Sequence, residues 1–310
     1  MMNSAETTDI AHNNSTVAAL SHTQRERLAY IEFRLYFTGT VGRPDLINRF
    51  GVAPAAATRD LALYRELAPN NLRFDGSAKV YRLGVAFVPL FLHSPQRALT
   101  ALSQGFGEGH DVEPAPLVAC ETPALLCPPP VDTLAALCRA INARQPLDIR
   151  YTAMSSGPSK RVIVPFALVD TGLRWHVRAF DRNRQSFRDF VLTRIDALDA
   201  IEESALPHER PEHDIQWSRI LELELVPHPR LNRPEIVARD YGMTDGALRV
   251  RVRAAVAGYM LLRWGVDSSA DHHLSDEQYR LWLRDPLTLY GVENARLAPG
   301  YQEPAHHTTS

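Results

Sequence analysis

The sequence predicts an α+β protein of several domains, on three observations. Three short helical patterns near the N-terminus are punctuated by glycine turns and followed by a hairpin signal. A single amphipathic helix then precedes a run of alternating apolar positions, the mark of successive strands. Two stretches poor in regular apolar spacing divide the chain: 101–130, rich in Gly and Pro and ending in Cys127-Pro128-Pro129-Pro130, and 204–214. At 310 residues the chain is long enough for two or three domains. The expected organisation is a flexible tail at 1–20, domains at 21–100, 131–203 and 215–290, a linker at 101–130 and a tail at 291–310.

Composition excludes several classes. With 45% hydrophobic and 23% charged residues, wholesale disorder is ruled out. The three cysteines, Cys120, Cys127 and Cys138, form no CxxC pair, which argues against a disulfide framework or a zinc site and for a reducing compartment. No run of 18 apolar residues predicts a membrane span, and residues 1–17 lack the charged start and apolar block of a signal peptide. The expected location is the cytoplasm. Net charge is only −2, but it is unevenly spread. Residues 1–100 carry +3 and 131–200 carry +4, whereas 101–130 carry −4 and 201–310 carry −5. Of the 34 basic residues, 32 are arginine. Codon usage in a GC-rich genome accounts for such a bias; where the arginines fall is a separate matter, because the planar guanidinium fork suits phosphate.

In order along the chain, Leu28, Ile31 and Leu35 give Arg25 to Phe37 a helical spacing, ended by Gly39 and Gly42. Arg43 to Phe50 makes a second helix with Pro44 at an early position, where proline is tolerated. Gly51-Val52-Ala53 is a tight turn, and Pro54 opens a third helix to about Leu67. Helix, short turn with Gly, helix is the helix-turn-helix pattern. Asp75-Gly76 between alternating apolar positions predicts a hairpin, hence a wing directly after the recognition helix. The candidate DNA contacts are Arg43, Thr58, Arg59, Tyr64 and Arg65 on the helices, with Ser77 and Lys79 on the wing. Residues early in the recognition helix enter the major groove in this motif. The plain alternative is a small packed domain in which Arg59 pairs with Asp60 or Glu66.

Val131 to Gln145 reads as an amphipathic helix, with Leu134, Leu137, Cys138 and Ile141 on one face. Strands are expected at Leu147 to Tyr151, 161–169, 173–181 and 185–193. Side chains alternate along a strand, so Arg174, His176 and Arg178 share one face and Trp175, Val177 and Ala179 the other. Arg188 and Arg194 share parity with Phe190 and Leu192 on the next strand. Such dense positive charge is costly unless an anion or acid neutralises it. Two readings stand: an anionic ligand site, or a solvated face balanced by Asp181, Asp189 and Asp196.

Here the chain resembles a known family. Ile149-Arg150-Tyr151 through Ser155, Arg161 to Pro165, Arg174-Trp175-His176-Val177-Arg178 and Phe187-Arg188 through Arg194 are similar to the WYL domain, whose Trp-Tyr-Leu reads Trp175-His176-Val177 here. Joined to a winged helix, the pattern looks most like the WYL regulators of bacterial phage-defence systems of the BREX and CBASS kinds. The resemblance implies an Sm-like β-barrel that senses an anionic effector, a nucleic acid or a nucleotide. Carried over by position, the ligand contacts are Tyr151, Ser155, Arg161, His176, Arg178, Arg188 and Arg194.

In the last domain the order strand, helix, strand, helix, strand predicts an α+β sandwich; the resemblance implies a WCX extension, ferredoxin-like and involved in dimerisation. Arg249, Arg251 and Arg253 form a stripe that can pair with Glu222 and Glu224 across strands, or contribute to a ligand channel or dimer contact. Asp271, His272 and His273, with His228, offer the one hint of a metal site, and a surface loop is the plainer reading of them. No catalytic residue, metal or cofactor is predicted. The expected function is a homodimeric repressor of a phage-defence operon that binds an inverted repeat in double-stranded DNA and is released by its effector. The alternatives are an activator of the same architecture, a nucleic-acid-processing enzyme, or a DNA-binding subunit without sensing.

Overall fold

A computed structural model describes residues 17, 19–105, 116–121 and 127–304. The chain divides into two compact units, 1–123 and 124–310. The expected tail at 1–20 lies mostly outside the described residues, as does much of the expected linker.

In the first unit, α1 (His22–Phe33) is capped by the Ser21 hydroxyl, which accepts from the Gln24 amide at 3.3 Å. It runs on into a wider turn, Arg34–Thr38, that Gly39 ends at φ 78°, a conformation glycine adopts without strain. After β1 (Thr40–Val41), α2 (Arg43–Phe50) starts where the Asp45 carboxylate accepts the Gly42 amide at 2.7 Å. Gly51, at φ 62°, turns the chain into α3 (Pro54–Leu67). Ala53 offers no side-chain cap, and Pro54 at the first turn removes one donor that would need it. The wing is β2 (Leu72–Asp75) and β3 (Val80–Leu83), in a sheet ordered β1-β3-β2. The Asp75 carboxylate holds the tip, accepting from Ser77 N, Ser77 Oγ, Ala78 N and Arg82 Nε. Leu28, Ile31, Leu35, Leu46, Leu61 and Tyr64 are buried in one core. Gly84 lies so close to the Asn70 carbonyl that a Cβ there would overlap it. The expected domain end at 100 falls inside α4 (Pro95–Gln104).

The second unit holds both remaining expected domains. Its helix α5 (Val131–Ala143) packs Leu137 and Ala140 on a five-stranded antiparallel sheet. The strands are β4 (Leu147–Ala153), β5 (Gly157–Asp170), β6 (Trp175–Asp181), β7 (Ser186–Val191) and β8 (Ile195–Ala200), in the order β7-β6-β5-β4-β8. The sheet is bent by register shifts between Pro165 and Ala167 and between Arg150 and Tyr151. It is not the expected closed barrel: the edge strands β7 and β8, joined by the turn Leu192–Arg194, share no ladder.

The C-terminal part joins α6 (Ile215–Ser218), β9 (Ile220–Pro227), α7 (Pro234–Asp240), β10 (Leu248–Arg253), α8 (Ala254–Trp264), β11 (Val266–Asp267) and β12 (Leu281–Leu283). The sheet order is β10-β9-β12-β11, with β9 and β10 antiparallel neighbours. This differs from the expected ferredoxin-like order, in which a hairpin separates the two helices. Here β11 is cut to two residues because the Asp267 side chain caps the following loop, accepting from Ser269 N, Ser269 Oγ and Leu274 N. Nor is 291–304 a loose tail. Val292, Ala295 and Ala298 are buried, and Asn294 bonds Ala255 O and Gly258 N on α8.

Candidate nucleic-acid interface and effector sheet

On α3, Ala57, Asp60, Leu61, Tyr64 and Leu67 face the core, so Thr58, Arg59 and Arg65 are exposed on the other side. Thr58 Oγ1 donates to Pro54 O at 2.9 Å, which leaves its oxygen free to accept. Asp60 is not a partner for Arg59. It is buried and held by Arg27 in a two-pronged pair at 2.6 and 3.2 Å. Arg59 and Arg65 have no ion pair among the described residues, nor does Arg43 at the exposed start of α2. On the wing, Lys79 is exposed at φ 55°, whereas Ser77 spends its hydroxyl proton on Asp75 at 2.7 Å. Arg73, absent from the sequence-based set, is exposed on β2 beside Phe74, which is 59% exposed and rests on Tyr81.

Tyr64 corrects the prediction. It is fully buried and donates its hydroxyl to Glu32 Oε2 at 2.8 Å, while accepting from Asn71 Nδ2 at 3.0 Å. Burial, and then the Glu32 charge, push its pKa well above the usual phenol value. Glu32 is itself fully buried, and also accepts from Leu90 N (2.7 Å), Phe91 N (2.9 Å) and His93 Nε2 (2.9 Å). Four donors satisfy a carboxylate that would otherwise be too costly to bury. The knot ties α1, the recognition helix and the segment leading to α4 together.

In the middle sheet, cross-strand register separates the seven predicted ligand residues. Tyr151, Arg161 and Arg188 lie on the α5 side, Arg188 opposite Ala179. Tyr151 is core, its hydroxyl accepting the Val191 amide at 3.3 Å and its ring meeting Phe190 edge-on. Arg161 pairs with buried Asp181 at 2.7 Å, and Ser155 sits in an exposed turn. Arg188 is exposed and Arg194 half-buried, neither with an ion pair among the described residues.

His176 and Arg178 lie on the opposite face, which the C-terminal part covers. Arg178, 2% exposed, donates Nε and Nη2 to Asp214 at 2.7 and 3.1 Å and Nη1 to Asp189 at 3.2 Å. His176 is buried against the Tyr259 ring, centroids 5.2 Å apart, with its Nδ1 unpartnered. Burial lowers its pKa and Asp189 raises it, while Arg174 and Arg194 lower it further. Asp189 was legible as one of three acids that could balance the positive face, and the register places it opposite Arg178; Asp214 and Tyr259 come from other elements and had no sequence signal.

The C-terminal arginine stripe forms the expected cross-strand pairs, Arg249 with Glu224 at 3.2 Å and Arg251 with Glu222 at 3.7 Å; Arg253 covers Trp217. His273 pairs with Asp271 and His228 with Asp267. Among the described residues no group of three or more His, Cys, Asp or Glu is placed to hold a metal, and no helix is long and apolar enough to cross a membrane.

Three families match these segments. Residues 23–104 match the BrxR transcriptional regulator winged helix-turn-helix domain, 132–200 the WYL domain, and 220–289 the BrxR C-terminal dimerization domain. A DNA-binding transcriptional repressor CapW from Stenotrophomonas maltophilia is 33% identical over 288 residues, covering 84% of this chain and 93% of that protein. CapW of Escherichia coli (strain KTE188) is 30% identical, covering 87% and 91% of the two chains, and that of Pseudomonas aeruginosa 29%, covering 85% and 90%. Among solved structures, proteasome accessory factor B/C of Arthrobacter aurescens aligns at 16% identity and a TM-score of 0.25, over 87% of this chain and about half (47%) of that one.

Proposed function

Because the chain belongs to the family of CapW DNA-binding transcriptional repressors and matches the winged-helix and C-terminal dimerization domains of BrxR regulators, we propose that it is a homodimeric repressor of a phage-defence operon. It works in the cytoplasm, binds an inverted repeat, and is released by an anionic effector of nucleic-acid or nucleotide type. It is not an enzyme. The observation that carries the reading is the solvent-facing side of α3. Thr58, Arg59 and Arg65 are exposed there, neither arginine has an ion pair among the described residues, and Arg27 holds the Asp60 carboxylate next to Arg59. Arg43 and Lys79 extend the same charge to the start of α2 and the wing. Such an arrangement lets α3 read base edges while flanking cations hold phosphate. A dimer of this head matches a two-fold operator.

For the effector, Arg188 and Arg194 are the predicted ligand residues of the middle sheet that have no ion pair among the described residues, a state they share with Arg150, Lys160 and Arg174. Release requires that the effector bind the two states with different affinity. The test titrates purified protein against its own promoter fragment and then adds a short oligonucleotide or a nucleotide. Effector-dependent loss of the complex in wild type, absent in Arg188→Ala and Arg194→Ala, supports the reading. Loss of the complex in both variants alike counts against these residues.

A further inference from the structure

Arg178 is placed unlike a ligand contact. Its guanidinium is buried, and all three nitrogens are engaged by acids. Asp189 belongs to the neighbouring strand β7. Asp214 lies in the connection to the C-terminal part, and the Glu293 carboxylate stands 3.6 Å away from beyond β12. An effector reaching this group would first have to displace two carboxylates.

Each partner does a second task. Asp214 caps α6, accepting from Gln216 N at 3.0 Å and Trp217 N at 3.2 Å. The Trp217 ring then meets Phe166 of β5 edge-on, centroids 5.5 Å apart. Asp189 accepts the Tyr259 hydroxyl of α8 at 3.2 Å, and the same ring covers His176. One turn along α8, the Arg263 guanidinium lies on Gly172 in the β5–β6 turn, where a Cβ would overlap it. The middle sheet thus grips the C-terminal part at three places, and Arg178 is the group common to the connection, β7 and the chain after β12.

We propose that Arg178 is a positioning residue: the Asp189–Arg178–Asp214 chain, braced by Tyr259, is the joint that fixes the C-terminal domain on the WYL sheet and so sets the geometry of the dimer. Only the last step rests on the dimeric reading above. The bidentate fork explains the choice of arginine, since a lysine offers a point charge and cannot engage Asp214 with two parallel bonds. The joint also assigns the sensing role to other cations of the sheet.

The test is amide hydrogen exchange on the full chain, comparing wild type with Arg178→Met and Tyr259→Phe. In Arg178→Met the amides of 206–219 and of α8 exchange at least tenfold faster, while those of β4, β5 and the N-terminal unit are unchanged. Tyr259→Phe removes only the hydroxyl, and accelerates α8 and β7 about threefold. Wild-type exchange in these segments in both variants overturns the joint. If Arg178→Met does not fold, Tyr259→Phe decides alone. A second arm measures binding to the operator and to one whose half-sites are moved apart by about five base pairs, half a turn of DNA. Wild type discriminates between them, and Tyr259→Phe and Arg178→Met discriminate less. Unaltered discrimination in both variants overturns the last step. A wild type with no spacing preference refutes the dimeric reading instead, and exchange still decides the joint.

Discussion

Replacing Glu32 by Gln is the sharpest probe of the N-terminal unit. Its two carboxylate oxygens each face two donors: Phe91 N and His93 Nε2 at one, Tyr64 OH and Leu90 N at the other. Gln keeps the shape but turns one acceptor into a donor. Whichever way the amide is placed, a backbone N–H of Leu90 or Phe91 then meets an NH2 group. The tyrosine hydroxyl or the histidine ring can turn to accept; an amide cannot. A stranded buried donor costs about 1–3 kcal/mol, and the surviving bonds lose charge assistance. The expected loss is about 3 kcal/mol, roughly a 1.5 M shift in urea midpoint at a slope near 2 kcal/mol per M. All four tryptophans, at 175, 217, 264 and 282, lie in the second unit. Urea unfolding followed by circular dichroism should therefore show an earlier helical transition while the tryptophan fluorescence transition stays in place. A Glu32→Gln chain within 0.5 kcal/mol of wild type by circular dichroism would refute the reasoning.

Other outcomes follow from the same geometry. Tyr64→Phe removes one bond to the buried carboxylate and costs about 1.5 kcal/mol of stability; a salt dependence of operator binding equal to wild type would separate this from a lost phosphate contact. Arg59→Ala weakens operator binding by about 1–3 kcal/mol with altered base preference, whereas Lys79→Ala weakens all DNA alike and lowers the salt slope by about one; the reverse assignment would show in a comparison of operator with unrelated DNA across salt concentrations. His176, held by burial below its ordinary 6.5, binds a proton more readily when unfolded. Its contribution to stability is present above pH 6.5 and is lost as pH falls toward the folded value. His176→Leu should flatten that part of the stability–pH curve, with Asp189, Arg174, Arg194 and Tyr259 still facing the site; an unchanged slope between pH 5 and 7 in urea melts contradicts it.

Punctuation made the N-terminal fold legible. Gly39, Gly51, Pro54 and Asp75-Gly76 mark turns by backbone chemistry, so α1 to α3 and the wing fall where expected. Tyr64 was misplaced although the signal was there: it follows Ala57 by seven and Leu61 by three, on the buried stripe. On β6 alternation put His176 and Arg178 on one face correctly, yet both are buried, and only Arg174, just before the strand, is exposed. What covers that face, Asp214 and Tyr259, is distant in sequence, and no local pattern announces a tertiary contact. The same limit hid Glu32, whose donors come from segments up to 61 residues away. The open sheet escaped for a different reason. Strand β8 follows β7 after a single turn, and alternation does not say whether two edges meet.

Sequence-specific repression is tested most directly by nuclease protection with the purified chain on the promoter region of its own gene, at a stated salt concentration. A repressor of this kind protects an inverted repeat, bound at least about 10³-fold more tightly than unrelated DNA, with protection lost in Arg59→Ala. Equal affinity for operator and unrelated DNA, or wild-type protection by Arg59→Ala, would contradict it.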